Sequence, residues 1–167
     1  MGGGESMIHF LGFPWKPRKI KTFDLEGKSN GYILEVGKNT SGSEVTAYIS
    51  AIAPKAFKGY HQHTKITQTF HVLSQGKLLF ILWQKGYPKP EYHLVGCGMM
   101  LTVPVGIVIG IKNYSDKLMK ILCLPSPSYN IIDTKEQIKI PKDELEEFMK
   151  NQPDEWAEYE RRMEKGE

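Results

Sequence analysis

Cysteine is scarce in this chain. Only Cys97 and Cys123 occur among 167 residues, far apart and without any CxxC spacing. That supply excludes a disulfide framework, and each thiol reads as free. Long apolar runs are missing as well: none approaches the roughly 18 residues that a membrane-crossing helix needs. Charge of one sign is also short. The formal net charge is +3, and the basic residues are scattered rather than gathered into a stripe. The densest run, from Trp15 to Lys21, reads as a solvated loop and not as a phosphate-tracking surface. Nucleic acid and membrane are therefore not expected partners. The opening Met1 to Ser6 is too polar and too short for a signal peptide. With two unpaired thiols, a reducing, cytoplasmic setting is the expectation. Internal repeats and low-complexity tracts are absent too.

What is present is the composition of a folded domain, 40% hydrophobic and 25% charged. One domain is the economical reading of this length, and it can bury a sizeable core. From Gly31 to about Leu124 the pattern is that of short strands. Gly31 to Gly37 is bounded by glycines. Glu44 to Pro54 alternates Val45, Ala47, Ile49 and Ala51 against Glu44, Thr46, Tyr48 and Ser50. Further apolar runs follow at short intervals, with Gly, Pro, Asn and Ser between them, which predicts a sandwich or barrel. The separators are too short for crossover helices, so the pairing should be antiparallel. A late strand is expected around Ile138 to Ile140. Two helices are expected after it. Pro141 suits a first helical turn, with Asp143, Glu144 and Glu146 near the positive end and Leu145, Phe148 and Met149 as its apolar side. A second helix starts at Pro153, with Trp156 and Tyr159 on one face. The organisation read from this is an N-terminal arm over 1–30, a β-barrel over 31–140 and a helical extension over 141–167.

The chemistry concentrates between Lys58 and Gly76, which holds His61, His63 and His71. Residues i and i+2 of a strand share a face, so His61 and His63 point the same way. His71 lies three residues from Gln68 and should face the opposite side, as a polar residue on the outside of the barrel.

Two segments resemble the signature motifs of the cupin superfamily. His61, His63, Gln68 and Gly76 follow the first. Gly98, Pro104, Gly106, Ile109 and Asn113 follow the spacing of the second. The resemblance implies an all-β fold, the antiparallel double-stranded β-helix or jelly-roll barrel, here with C-terminal α-helices. In the superfamily pattern two histidines, a Glu and a late His converge on a divalent metal. Here Gln68 stands at the Glu position and Ile109 at the late His position, and neither suits a metal site, which needs about three protein ligands.

A closer resemblance, over about Ala56 to Pro141, is to the dTDP-4-dehydrorhamnose 3,5-epimerase family, a metal-free branch. Lys58, Gly59, Tyr60 and His61 match its basic-Gly-x-His order. The resemblance implies that His61 is the base that removes a proton α to the ketone of a nucleotide-linked 4-keto-6-deoxysugar, and that Tyr129 is the acid on the opposite face. Lys58 would meet the substrate phosphates, with His63, Gln68 and Asn113 as further substrate contacts. Asn113 also suits a turn, where its amide would bond backbone. No metal and no other cofactor is implied. The lysine that such enzymes hold near Gln68 to stabilise an enolate is missing, and a donor of that kind contributes roughly 2.7–4 kcal/mol. Two rivals follow: a non-catalytic cupin that binds a small polar or sugar ligand, and a metal-dependent cupin enzyme using His61 and His63. Exposed strand edges favour pairing of subunits, so a homodimer is expected.

Overall fold

The computed structural model describes residues 16–39, 41–130, 133, 135–141, 143–144 and 154–166. Two antiparallel sheets carry the fold. The larger takes β1 (Lys19–Phe23), β2 (Ser29–Lys38), β3 (Glu44–Ile52), β10 (Met119–Ser126), β5 (Thr67–Val72) and β8 (Met100–Val103) in that spatial order. A short β11 (Tyr129–Asn130) also pairs with β3, Tyr129 facing Val45. The smaller sheet runs β12 (Gln137–Lys139), β4 (Phe57–His63), β9 (Val108–Lys112), β6 (Lys77–Trp83) and β7 (Glu91–Gly96). The strands expected from alternation are all present. The segment read as an arm also contributes to the larger sheet, since β1 begins at Lys19.

The sequence pattern of each strand states its environment. Along β10, Met119, Ile121, Cys123 and Pro125 are buried while Lys120, Leu124 and Ser126 are exposed, the alternation of a strand with one wet face. β6 is apolar without alternation because both its faces are covered. Leu78 and Phe80 join the inter-sheet core with Phe70, Val72, Val103, Ile111 and Ile121. Leu79 and Ile81 turn outward against Tyr114, Tyr159 and Met163. Tyr159 and Met163 belong to α1 (Asp154–Glu164), which lies on the outer face of the smaller sheet, and Tyr114 donates to its Glu160 at 3.1 Å. Each fully buried aliphatic side chain is worth about 1.5–3 kcal/mol. The expected helix after Pro141 falls mostly outside the described residues; within them, Asp143 and Glu144 are helical.

The feature that positions the site is a bulge in β4. Its register against β9 slips between Gly59 and His61. Gly59 has φ +115° and Tyr60 has φ +57°, a left-handed conformation that a bulky residue adopts only when its surroundings enforce it. The enforcement is visible: Tyr60 stacks on Phe57 at 4.3 Å, over a glycine, Gly110, whose added Cβ would meet the Phe57 ring at 2.5 Å. The extra residue reverses the parity of the strand. Lys58 therefore shares the inner wall with His61 and His63, while Phe57 and Tyr60 pack outside against Trp83, Val108 and Ile140.

A Cβ at Gly59 would lie 2.3 Å from the Ile109 carbonyl oxygen. Gly59→Ala is therefore expected to lower stability by about 1–3 kcal/mol, read as a lower urea midpoint with an unchanged slope. A midpoint equal to wild type would mean that the bulge is not constrained as described.

Candidate functional site

The inter-sheet space is packed at one end and hollow at the other. The hollow is a cavity of about 380 Å³, within the usual size of small-molecule sites. Phe70, Ile109, Ile111, Ile121 and Cys123 form apolar walls. Lys58, His61, His63, Gln68 and Tyr129, five of the six site residues expected from sequence, all line it. The exposed Arg18 and Lys139 stand at its rim.

His63 is buried and held at both ring nitrogens. Its Nδ1 lies 2.9 and 2.8 Å from the two carboxylate oxygens of Glu136, itself 3% exposed. A carboxylate accepts, so Nδ1 carries the proton. Nε2 then presents its lone pair to the Gln68 amide nitrogen at 3.3 Å. This orientation leaves Gln68 Oε1 buried without a partner. Such an oxygen calls for a donor, because burying an unpaired polar group costs about 1–3 kcal/mol. Glu136 is held in turn by its backbone: its carbonyl accepts from both the amide and the hydroxyl of Thr64.

His61 is the freer of the two rings. It meets His63 edge-on at 5.3 Å between centroids. Burial pushes its imidazole down to about 3, and the nearby His63 and Lys139 push the same way, against a hydrogen bond that the ring donates to the Gly59 backbone. Part of the ring surface is still open, since it faces the cavity. His61 is thus a neutral imidazole at neutral pH, with its lone pair available.

Lys58 crosses from the smaller sheet to the larger. Its Nζ donates to the Tyr32 carbonyl and to Ser50 Oγ, each at 3.0 Å. The side chain is buried, and burial lowers its amine to about 8. No carboxylate pairs with it among the described residues. Tyr48 and Cys123 stand on the cavity wall too, and burial raises both, the thiol to about 12. At the rim, Arg18 donates from Nε and Nη2 to Glu35 at 3.0 and 2.6 Å, and Lys38 adds a third contact to that carboxylate. Glu35 is held below the usual carboxylate range by these cations, against its burial. The acid beside the opening is therefore paired by two cations.

Asn113 stands apart from this group. It is not among the cavity's lining residues, where a substrate contact was expected. Its amide nitrogen donates to the Ile52, Ala53 and Lys117 carbonyls, and its oxygen accepts from the Ser115 amide and hydroxyl. Nothing is left over for a ligand. His71 lies on β5 between the inward Phe70 and Val72 and so faces away from the barrel interior. Lys65 is exposed and pairs with Asp133.

Sequence reasoning missed Glu136, Arg18 and Ser50. Glu136 had one legible signal: an acidic residue directly before a short apolar-polar strand, where a buried carboxylate needs a partner. The metal of the wider cupin pattern does not fit the residues present. His63 has both nitrogens engaged, Gln68 offers a neutral amide, and Ile109 is an aliphatic wall residue. Among the described residues, no group of three His, Cys, Asp or Glu side chains converges.

No family model and no curated protein matches the chain. Solved structures do. The capsular polysaccharide assembling protein CapF from Staphylococcus aureus superposes with a TM-score of 0.59 at 17% identity, over 77% of this chain and 33% of CapF. This chain thus spans about a third of CapF's length. A cupin-2 domain, Rru_A2000 from Rhodospirillum rubrum, superposes with a TM-score of 0.61 at 9% identity, over 84% of this chain and 86% of that one. Drosophila melanogaster CENP-C bound to CAL1 gives 0.53 at 14% identity, over 65% and 76%. What such identities share is the fold: this chain is a cupin-type β-barrel. No helix among the described residues is long and apolar enough to cross a membrane.

The protonation state of His61 is testable. Held at about 3 against an ordinary 6.5, it binds fewer protons in the native state than in the unfolded one between those values. Native stability should therefore fall as pH drops from 6.5 toward 3. His61→Gln should flatten that part of the slope, measured by urea unfolding at several pH values. By NMR the His61 ring should not titrate between about pH 5 and 8. A midpoint near 6.5 would show a solvated ring.

Proposed function

We propose that this cupin is a metal-independent epimerase or keto-isomerase of a nucleotide-linked 4-keto-6-deoxysugar, acting by proton abstraction α to the ketone. The observation that carries the reading is the gathering of an unprotonated imidazole, a phenol and a buried amine on the walls of one cavity with a cationic rim. Those are the parts that enolisation needs: a base, an acid for the return step and positive character near the developing oxyanion.

The roles follow from depth. His61 takes the α-proton. Tyr129, on the short strand paired to β3, returns a proton from another wall. Lys58 is too deep for the phosphates and faces the ketone oxygen instead, in the place of the enolate-stabilising lysine missing near Gln68. The exposed Arg18 and Lys139 are suited to the diphosphate. Gln68 Oε1, buried and unpaired, accepts from a sugar hydroxyl, and Glu136 fixes the His63 ring that holds the Gln68 amide. The base is weak in the empty cavity. A bound anion strengthens it, since a nearby negative charge favours the imidazolium. The likeness to a capsular polysaccharide assembling protein supports a carbohydrate substrate. A homodimer formed through the open edges of the larger sheet is part of this reading: β1 exposes Phe23 and β8 exposes Met100. Sedimentation should show a dimer at micromolar concentration; a monomer there removes that element.

Incubation with a dTDP-4-keto-6-deoxy sugar in deuterium oxide should place deuterium next to the ketone. His61→Ala should slow uptake by about 10²–10⁴-fold, and Tyr129→Phe should alter which position exchanges. If the sugar nucleotide raises the melting temperature while wild type incorporates no deuterium, the protein is a binding module and the catalytic reading fails.

A further inference from the structure

Lys58 has surroundings that fit an amine better than an ammonium ion. Its Nζ has two acceptors, the Tyr32 carbonyl and Ser50 Oγ. A neutral amine has two N–H bonds to satisfy and one lone pair left over. An ammonium ion has three N–H bonds, and here the third would face the cavity with no protein acceptor among the described residues, which is costly. The counter-charge is missing as well: no carboxylate pairs with Lys58 among the described residues. Among the described residues that line the cavity the one acid, Glu35, is taken by Arg18 and Lys38. The side chain is 8% exposed and enters the cavity from the bulge in β4, three residues from the neutral His61. Tethered by two hydrogen bonds to the opposite sheet, the nitrogen cannot swing out to the rim.

We propose that Lys58 is a nucleophile, and that its amine joins the substrate ketone as an iminium ion through which the α-proton is made acidic. This rests on the reading of the cavity as a carbonyl site, but not on the identity of the nucleotide. The nitrogen lone pair attacks the carbonyl carbon, and one N–H proton passes to the oxygen to give a carbinolamine. The hydroxyl then takes a proton from solvent, the C–O bond breaks, water departs, and a C=N⁺ bond remains. The α C–H pair flows into an enamine while His61 accepts the proton. Tyr129 protonates the α-carbon, water adds back to the C=N⁺ bond, and the amine leaves unchanged. No electrons are gained or lost, and water is the only co-reactant. The step also answers the weakness of the base. A positively charged nitrogen in place of the ketone oxygen acidifies the α-position, so a poor base suffices.

The probe is a dTDP-4-keto-6-deoxy sugar with sodium cyanoborohydride, which reduces iminium ions in preference to free ketones. Peptide mass spectrometry should find one sugar-nucleotide adduct, as a secondary amine, on the peptide that carries Lys58. Lys58→Arg should lose the adduct. Because that variant could misfold, His61→Gln is the companion: it keeps the amine, so trapping should persist while deuterium uptake is lost. Deuterium uptake by wild type without any adduct on Lys58 overturns the covalent step and leaves the enolisation reading standing. An adduct spread over exposed lysines such as Lys65 and Lys77, with Lys58 unmodified, overturns it too. Absence of both uptake and adduct sinks the enolisation reading together with this one.

Discussion

One backbone irregularity sets the chemistry of this barrel. A regular β4 would put Lys58 on the face opposite His61 and His63, because alternate residues of a strand face alternate sides. The bulge at Gly59 and Tyr60 adds one residue to the count and brings all three side chains to the inner wall. Its conformation is demanding, with positive φ at two successive residues. What sustains it is apolar packing on the far side of the strand, where Phe57 and Tyr60 stack over Gly110. The inner polar cluster is thus held in place from outside the barrel. β12 completes the arrangement by pairing with β4 opposite His61 and His63 and delivering Glu136 to His63.

The hollow has a simple origin. At the packed end, residues from both sheets are large and apolar, and they fill the space between them. At the open end, the inward positions are Lys58, His61, His63, Gln68, Ser50 and Tyr129, which must find hydrogen-bond partners rather than neighbours of matching shape. Lys58, Ser50, His63 and Gln68 satisfy part of their demand laterally or across the gap, and the remainder faces the void. The bonded pairs make the region stiff without making it solid, so the cavity is preformed.

How far this was legible in the residues depends on what kind of constraint was acting. Strand identity was legible, because alternation and turn residues are local. β6 showed that both its faces are covered, since Leu78 to Trp83 holds no charged position. That His61 and His63 share one face was legible from their spacing, and so was the placement of His71 on the face opposite Gln68. The depth of Lys58 was not, since it depends on a bulge that the sequence marks by nothing stronger than Gly59. The pairing of Glu136 with His63 was not legible, because the two are 73 positions apart and no periodicity links them. Asn113 was readable both ways, as a turn residue and as a ligand contact; three of its hydrogen bonds go to the turn and two to the end of β3.

The two departures from the metal-binding cupin pattern are better understood together than as separate losses. Ile109 sits directly opposite His61 in the pairing of β4 with β9, where an imidazole would have brought a polar, ligating ring. An aliphatic side chain there, beside Ile111 and Ile121, dries the wall. Dryness disfavours charge on both His61 and Lys58. Gln68 completes the effect. A carboxylate at that position would favour the protonated forms of the neighbouring bases, whereas an amide adds no charge. Removing the two acidic or ligating groups therefore does more than disable a metal site. It leaves an unprotonated imidazole beside an amine whose burial lowers it to about 8, within reach of its free-base form, and lone pairs are what carbonyl chemistry without a metal requires.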